Sequence, residues 1–256
     1  MSALEQLLRH ERLITLASLV AITGLAWTWL VPMAQQMNAM LPEDATAPDS
    51  SAWGSAYFWM VFCMWAAMMV GMMLPSATPV LLLYSGVLRR SAQPALALPG
   101  TLSLGLGYLL AWTIFSLLAT TLQWLLSQQS LLSYAMAITR RDLAAGLLIA
   151  TGIYQFTALK QTCLTRCRSP IEFLQRRWKK GLTGALRMGL RHGLYCIGCC
   201  GPLMLLLFYA GMMNLIWIAG LSALVLLEKL TRWGPASTRI SGSLLVLAGM
   251  GMLARL

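Results

Sequence analysis

Sulfur-bearing side chains are the residues of this 256-residue chain whose types and spacing suit chemistry. The chain has 17 methionines and six cysteines. Thiolates and thioethers are soft ligands that favour Cu(I), and thiolates also bind zinc and iron–sulfur clusters. His10 and His192 are the only histidines, and the apolar segments hold almost no carboxylates. The residue types therefore favour metal binding over acid–base catalysis, and a non-enzymatic role over an enzymatic one.

The densest group of donors is a motif of one histidine and three cysteines. On a helix, His192, Cys196 and Cys200 recur every four residues, and Cys199 lies beside them, so all four fall on one broad stripe. The stripe predicts nitrogen and sulfur donors that converge on one ion. Cysteine is also an ordinary small apolar residue in helix packing, so buried thiols beside a boundary histidine are the alternative interpretation.

A second cysteine pair precedes this motif. Cys163 and Cys167 are four residues apart, which on a helix puts both sulfurs on one face. We predict a cytoplasmic position for them, where a permanent disulfide is not expected. Metal binding or redox exchange is the functional interpretation, and surface thiols without function are the alternative.

Methionines form a third pattern. Four of them recur every four residues in the second apolar segment: Met60, Met64, Met68 and Met72. Met68 and Met72 are the candidate Cu(I) ligands of this stripe, while methionine as a flexible packing residue is the alternative. Pro75 and Pro79 follow and are expected to kink the helix near its inner end.

The elements that position these residues are apolar helices. The chain is 58% hydrophobic and 11% charged, whereas soluble domains carry about 25% charged residues. A membrane-spanning helix needs roughly 20 apolar residues. The sequence therefore predicts an all-α, polytopic transmembrane helical bundle that forms a single domain over residues 1–256. It has about seven spans, with six as the alternative: Leu13–Val31, Tyr57–Leu74, Leu102–Leu126, Leu143–Leu159, Gly193–Tyr209, Gly211–Leu227 and Pro235–Leu253.

The basic residues set the predicted orientation. With a cytoplasmic N-terminus, 16 of the 19 Lys and Arg residues fall in inner segments, as the positive-inside rule requires. The formal net charge of +11 then reflects topology, and nucleic acid is not an expected partner. The basic cytoplasmic segment 160–192 is expected to form an amphipathic helix on anionic lipid or a solvated loop. Glu228 and Lys229, at the inner end of the sixth span, resemble an ion pair within the membrane.

The same topology places the three sulfur groups at one depth, in or near the inner leaflet. Met68 and Met72, the pair Cys163 and Cys167, and the motif 192–200 all lie there. This shared depth predicts a single soft-metal site.

These motifs also resemble a known family. The residues that carry the resemblance are Ala66–Met69, Met72–Ser76, Tyr154–Lys160, Cys163, Cys167–Pro170, His192–Cys200, Leu203, Met204, Gly211–Asn214, Glu228 and Lys229. From about Trp59 to the C-terminus, the chain is similar to bacterial proteins described as predicted metal-binding integral membrane proteins, whose domain has no settled function. Two departures are Ala158, where the family suggests Pro, and Gly201–Pro202, where it suggests Trp-Ala. The resemblance implies metal binding and leaves the biochemical role open.

The leading hypothesis is a multi-pass protein of the bacterial inner membrane that binds a thiophilic ion for transport, insertion or homeostasis. Copper, as Cu(I), is the favoured ion, with zinc or an iron–sulfur cluster as alternatives. The expected partners are the lipid bilayer, the metal ion and a membrane protein or metallochaperone. The competing hypotheses are a membrane thiol-disulfide oxidoreductase and a non-catalytic assembly subunit of a membrane complex.

Overall fold

The computed structural model describes residues 3–39, 53–91, 93–133, 136–212, 214–231 and 233–255. Within these ranges the chain is built from α-helices joined by short connections, with one 3₁₀ turn at Pro94–Leu96 and one isolated β-bridge between Leu132 and Ile138. The predicted all-α bundle is confirmed. The helices are α1 (Ala3–Ala39), α2 (Ser55–Arg89), α3 (Ala97–Gln128), α4 (Arg141–Tyr154), α5 (Ala158–Arg168), α6 (Pro170–Arg177), α7 (Gly181–Leu205), α8 (Leu207–Ala210), α9 (Leu215–Leu230) and α10 (Gly234–Leu253).

Five of the described helical segments are long and apolar enough to cross a membrane: Ala17–Gln35, Ser55–Arg89, Pro94–Gln128, Gly181–Ala210 and Gly234–Leu253. The bent pair α4 and α5 makes a sixth if it counts as one broken span. The predicted span Gly211–Leu227 corresponds to α9, which has 16 residues and is shorter than the usual minimum of about 17. Gly211 takes a φ of 86° before Asn214 caps α9, so the helix begins late. By length and composition, the described helices therefore give five candidate spans, or six if the bent pair is one span.

Helices α3 and α7 pack closely because small residues face each other. A Cβ atom on Gly107 would collide with the backbone carbonyl of Leu186, and one on Gly189 would collide with that of Leu104. Close backbone approach of this kind is typical of helix interfaces in membranes. The two helices run parallel, and their contact brings Tyr108 of α3 beside Cys196 of α7.

The predicted fourth span, Leu143–Leu159, breaks near its inner end. Helix α4 ends at Tyr154, and α5 begins at Ala158 with a bend of 63° between them. Thr157 caps α5 by accepting a hydrogen bond from the backbone N–H of Lys160. The bend folds α5 against α7, so the cysteines of α5 are buried in the bundle.

The basic segment 160–192 is helical over most of its length. It comprises α5, α6 and the first turns of α7. Helix α6 is amphipathic, since Phe173 and Leu174 are buried while Arg176 and Arg177 are exposed. This short helix places several cations close to the cysteine-bearing helices.

Candidate metal centre

Three cysteines of α7 form the core of the site. The Sγ atoms of Cys196, Cys199 and Cys200 all lie within 4.8 Å of one another, and each residue is at most 1% exposed. Residues three and four apart on a helix share one face, so the backbone itself brings these thiols together. The Cys196 and Cys200 sulfurs are 3.9 Å apart. Metal–thiolate bonds of about 2.3 Å at tetrahedral to trigonal angles place sulfurs roughly 3.8–4.0 Å apart, so the spacing fits a bound thiophilic ion.

The second cysteine pair joins the same site from α5. The Sγ of Cys167 lies 3.8 Å from that of Cys199, and Cys163 packs against Gly198, where an added Cβ would lie 2.7 Å from its sulfur. Both α5 cysteines are buried, at 8% and 9% exposure. The α5 pair and the α7 triad, which lie about 30 positions apart in the sequence, therefore form one group of five cysteines, the sulfur cluster.

A thioether reaches the sulfur cluster from α2. The Sδ of Met73 is 3.7 Å from the Sγ of Cys200, and Met73 is fully buried. Met68 and Met72, the predicted ligands, are also fully buried. Successive helical residues are about 100° apart, so Met72 projects from a different face of α2 from Met73. Sequence reasoning missed Met73, although Met69 and Met73 form a second pair four residues apart.

Tyr108 and Ser76 link α2, α3 and α7 around the sulfur cluster. Tyr108 Oη lies 3.0 Å from the Met73 carbonyl oxygen, to which it donates, and 3.1 Å from the Sγ of Cys196. Ser76 donates to the same carbonyl over 2.8 Å. Ser76 ends the Met72–Ser76 motif but was not a predicted site residue, and Tyr108 lies outside the sequence motifs. Their hydrogen bonds hold the turn of α2 that carries Met73 beside the cysteines.

The charged residues pair differently from the prediction. Glu228 binds Lys160 of α5, with 2.7 Å between the carboxylate and Nζ, and both side chains are buried. The expected pair of Glu228 with Lys229 is wrong, because adjacent residues of a helix do not face each other. Lys229 instead points into the site, where its Nζ lies 2.8 Å from the Sγ of Cys196 and 3.1 Å from Ser76 Oγ.

His192 lies one helical turn before Cys196 and is 3% exposed. Its ring packs between Phe173 and Tyr108, with centroid distances of 5.1 and 5.7 Å. Within the described structure, its buried Nδ1 atom has no hydrogen-bond partner. The histidine is therefore next to the sulfur cluster with a free ring nitrogen, and its role as a ligand stays a prediction.

Most of the chain is similar to one known protein family. A family model described as "PpoB2: Copper chaperone" matches residues 62–252. No curated protein and no solved structure matches the chain. The matched range contains all six cysteines, Met73 and Lys229. This match confirms the metal-related part of the resemblance seen in the sequence.

Proposed function

The chain belongs to the PpoB2 copper chaperone family, and from this premise we propose that it binds Cu(I) as cargo on the buried sulfur cluster. The observation that carries the proposal is the spacing of the sulfurs. Separations of 3.7–3.9 Å join the sulfur atoms of three pairs: Cys167 with Cys199, Cys196 with Cys200, and Cys200 with Met73. The compact triad on α7 connects these pairs into one group.

The chemistry of the donors supports copper over harder ions. The sulfur cluster offers thiols and one thioether, which are the ligands that select Cu(I). Thiolates also suit zinc, but a thioether is not among the usual zinc ligands. The nearby carboxylate of Glu228 binds Lys160, so its negative charge is already matched.

The charge around the sulfur cluster also suits a Cu(I)–thiolate complex. Two thiolates and one Cu(I) ion leave one net negative charge, which is costly to bury without a partner. The ammonium group of Lys229, 2.8 Å from Cys196, provides one positive charge at that point. The bound complex and Lys229 together would be neutral.

Burial disfavours thiol-disulfide exchange between the α7 cysteines and another protein. Exchange requires a partner thiolate to reach a sulfur atom. The three α7 cysteines are at most 1% exposed and are covered by α5. We therefore propose that the protein holds Cu(I) within the apolar bundle and passes it on, in transport, insertion or copper homeostasis in a membrane.

Copper content tests the proposal. The protein is purified in detergent, loaded anaerobically with Cu(I), desalted and subjected to elemental analysis. We expect the wild type to retain copper and the variant with Cys196→Ser, Cys199→Ser and Cys200→Ser to lose most of it. Cys63→Ser is the matched control, because Cys63 is exposed on α2 outside the sulfur cluster. A folded triple variant with full copper content would show that these cysteines only pack.

A further inference from the structure

A strongly basic cleft lies beside the sulfur cluster. It consists of two cavities of about 120 and 220 Å³ that share Arg176 and Arg177 in their linings. The cations that line the cleft are Arg166, Arg176, Arg177, Lys179, Arg187 and Arg191. The carboxylate that lines it belongs to Glu172, which is already paired with Arg176 at 3.1 Å. The cleft therefore has a large excess of positive charge.

Tyr195 and Arg166 line the cleft and directly precede cysteines of the sulfur cluster in the chain. Arg166 and Arg191 both donate hydrogen bonds to the hydroxyl of Tyr195, which directly precedes Cys196. Arg166 also directly precedes Cys167, and at 9% exposure Cys167 is the most accessible thiol of the sulfur cluster. A ligand in the cleft would thus contact Arg166 and Tyr195, the residues that precede Cys167 and Cys196.

The charge of the cleft identifies what it can attract. An uncomplexed copper ion is a cation and would be repelled by these arginines. Cu(I) is soft, and low-mass thiols complex it as thiolates. Two thiolates on one Cu(I) give a net charge of −1, and any carboxylates on the thiols add to it. Such a complex carries the negative charge that the cleft would attract.

We propose that the basic cleft binds an anionic, low-mass thiolate complex of Cu(I) and delivers its ion to the sulfur cluster. This inference rests on the proposed function, because it names the donor for the same site. Transfer is a ligand exchange without electron transfer. The Cys167 sulfur forms a bond to copper, a carrier sulfur loses its bond, and the proton of the Cys167 thiol passes to the departing thiolate. Cys199, 3.8 Å from Cys167, then bonds to copper in a second exchange, in which the remaining carrier sulfur loses its bond and leaves with the Cys199 proton.

Transfer kinetics test the proposal. Copper uptake by detergent-solubilised protein is followed by stopped flow from two donors, the anionic glutathione complex of Cu(I) and the cationic cysteamine complex. We expect Arg176→Gln with Arg177→Gln to slow uptake from the glutathione complex about tenfold at low salt, a typical size for electrostatic steering. Uptake from the cysteamine complex should not slow. Added salt should reduce the difference between wild type and variant in the rate of uptake from the glutathione complex.

A matched control removes two exposed cations elsewhere. Helix α10 packs antiparallel to α4, with Gly249 against Ala145 and Gly242 against Gln155, so Arg141 and Arg255 lie at the end of α4 remote from α5 and α6. Arg141→Gln with Arg255→Gln should therefore leave uptake from both donors unchanged. If the folded variant with Arg176→Gln and Arg177→Gln takes up copper from the glutathione complex at the wild-type rate, the proposal is wrong.

An equilibrium measurement separates the cleft from the copper site. S-methylglutathione is anionic but has no free thiol. We expect it to bind the triple Cys→Ser variant and the wild type with equal affinity. It should bind the variant with Arg176→Gln and Arg177→Gln more weakly. If wild type takes up no copper yet shows this pattern, the proposed function fails and the anion site stands. If the arginine changes alter only the retention of acidic phospholipid, the cleft is a lipid site and the proposal is wrong.

Discussion

The Nζ atom of Lys229 lies 2.8 Å from the Sγ atom of Cys196, although 33 positions separate the two residues. Both side chains are buried, and among the described residues no carboxylate forms a salt bridge with Lys229. A buried ammonium group needs a negative partner. The thiolates of the sulfur cluster are the groups placed to supply that charge.

Removal of this charge should weaken copper binding. We predict that Lys229→Met lowers Cu(I) affinity roughly 10- to 100-fold, since an opposite charge at about 4 Å is worth between about 1 kcal/mol in water and about 4 kcal/mol in a partly buried site. Lys229→Arg should retain most of the affinity because it keeps the charge. Competition titration against a Cu(I) chelator measures both variants. Equal losses in the two variants would indicate that side-chain shape matters and charge does not.

The methionine contacts give a second prediction. Met73→Leu should reduce Cu(I) affinity more than Met72→Leu or Met68→Leu, because the Sδ of Met73 lies 3.7 Å from Cys200. A change from methionine to leucine roughly conserves volume and costs less than about 1.5 kcal/mol of stability, so ligation is separated from packing. The same titration, together with thermal unfolding in detergent, checks this ranking. Equal affinities for Met73→Leu and wild type would make Met73 a packing residue.

The buried ion pair gives a prediction about stability. Glu228→Gln should destabilise the protein by about 3–5 kcal/mol, because it leaves the ammonium of Lys160 buried without its partner. The double variant Lys160→Met with Glu228→Gln removes both charges and should recover much of the loss. Thermal unfolding in detergent measures the difference. A double variant less stable than Glu228→Gln alone would contradict this account.

The contact between α3 and α7 gives a fourth prediction. Gly107→Ala and Gly189→Ala should each destabilise the fold by about 1–3 kcal/mol, because the new methyl group would meet the backbone of the other helix. Gly146→Ala on α4 is the control, since nothing lies within 4 Å of its added Cβ. The yield of monodisperse protein and its unfolding temperature report the effect. A full yield of stable Gly189→Ala protein would show that α3 and α7 can move apart without loss of stability.

The predicted orientation is tested by reporter fusions. With a cytoplasmic N-terminus, an alkaline phosphatase fused after Lys180 should be inactive and one fused after Arg140 should be active, because the enzyme folds only outside the cytoplasm. The basis is the concentration of 16 of 19 basic residues in the predicted inner segments. The reverse pattern of activity would invert the bundle and place the basic cleft outside.

Composition and residue spacing were enough to predict the fold class and the central cysteines of the site. Apolar composition and segment length were enough to predict long helices that can span a bilayer. The period of the helix then fixed which residues share a face, so the grouping of Cys196, Cys199 and Cys200 followed from spacing alone. Local geometry of this kind needs no knowledge of neighbouring helices, and the family resemblance pointed to the same residues.

The other groups that contact those cysteines come from distant parts of the chain and depend on how the helices pack. Cys167 reaches Cys199 because the chain bends by 63° between α4 and α5. Met73 reaches Cys200 across 127 positions, and Lys229 reaches Cys196 while Glu228 turns to Lys160. These contacts depend on how each helix is rotated and how far it is shifted along its neighbours. Side-chain packing at close helix contacts, such as that between α3 and α7, sets both quantities, and the spacing of residues along one helix does not encode them.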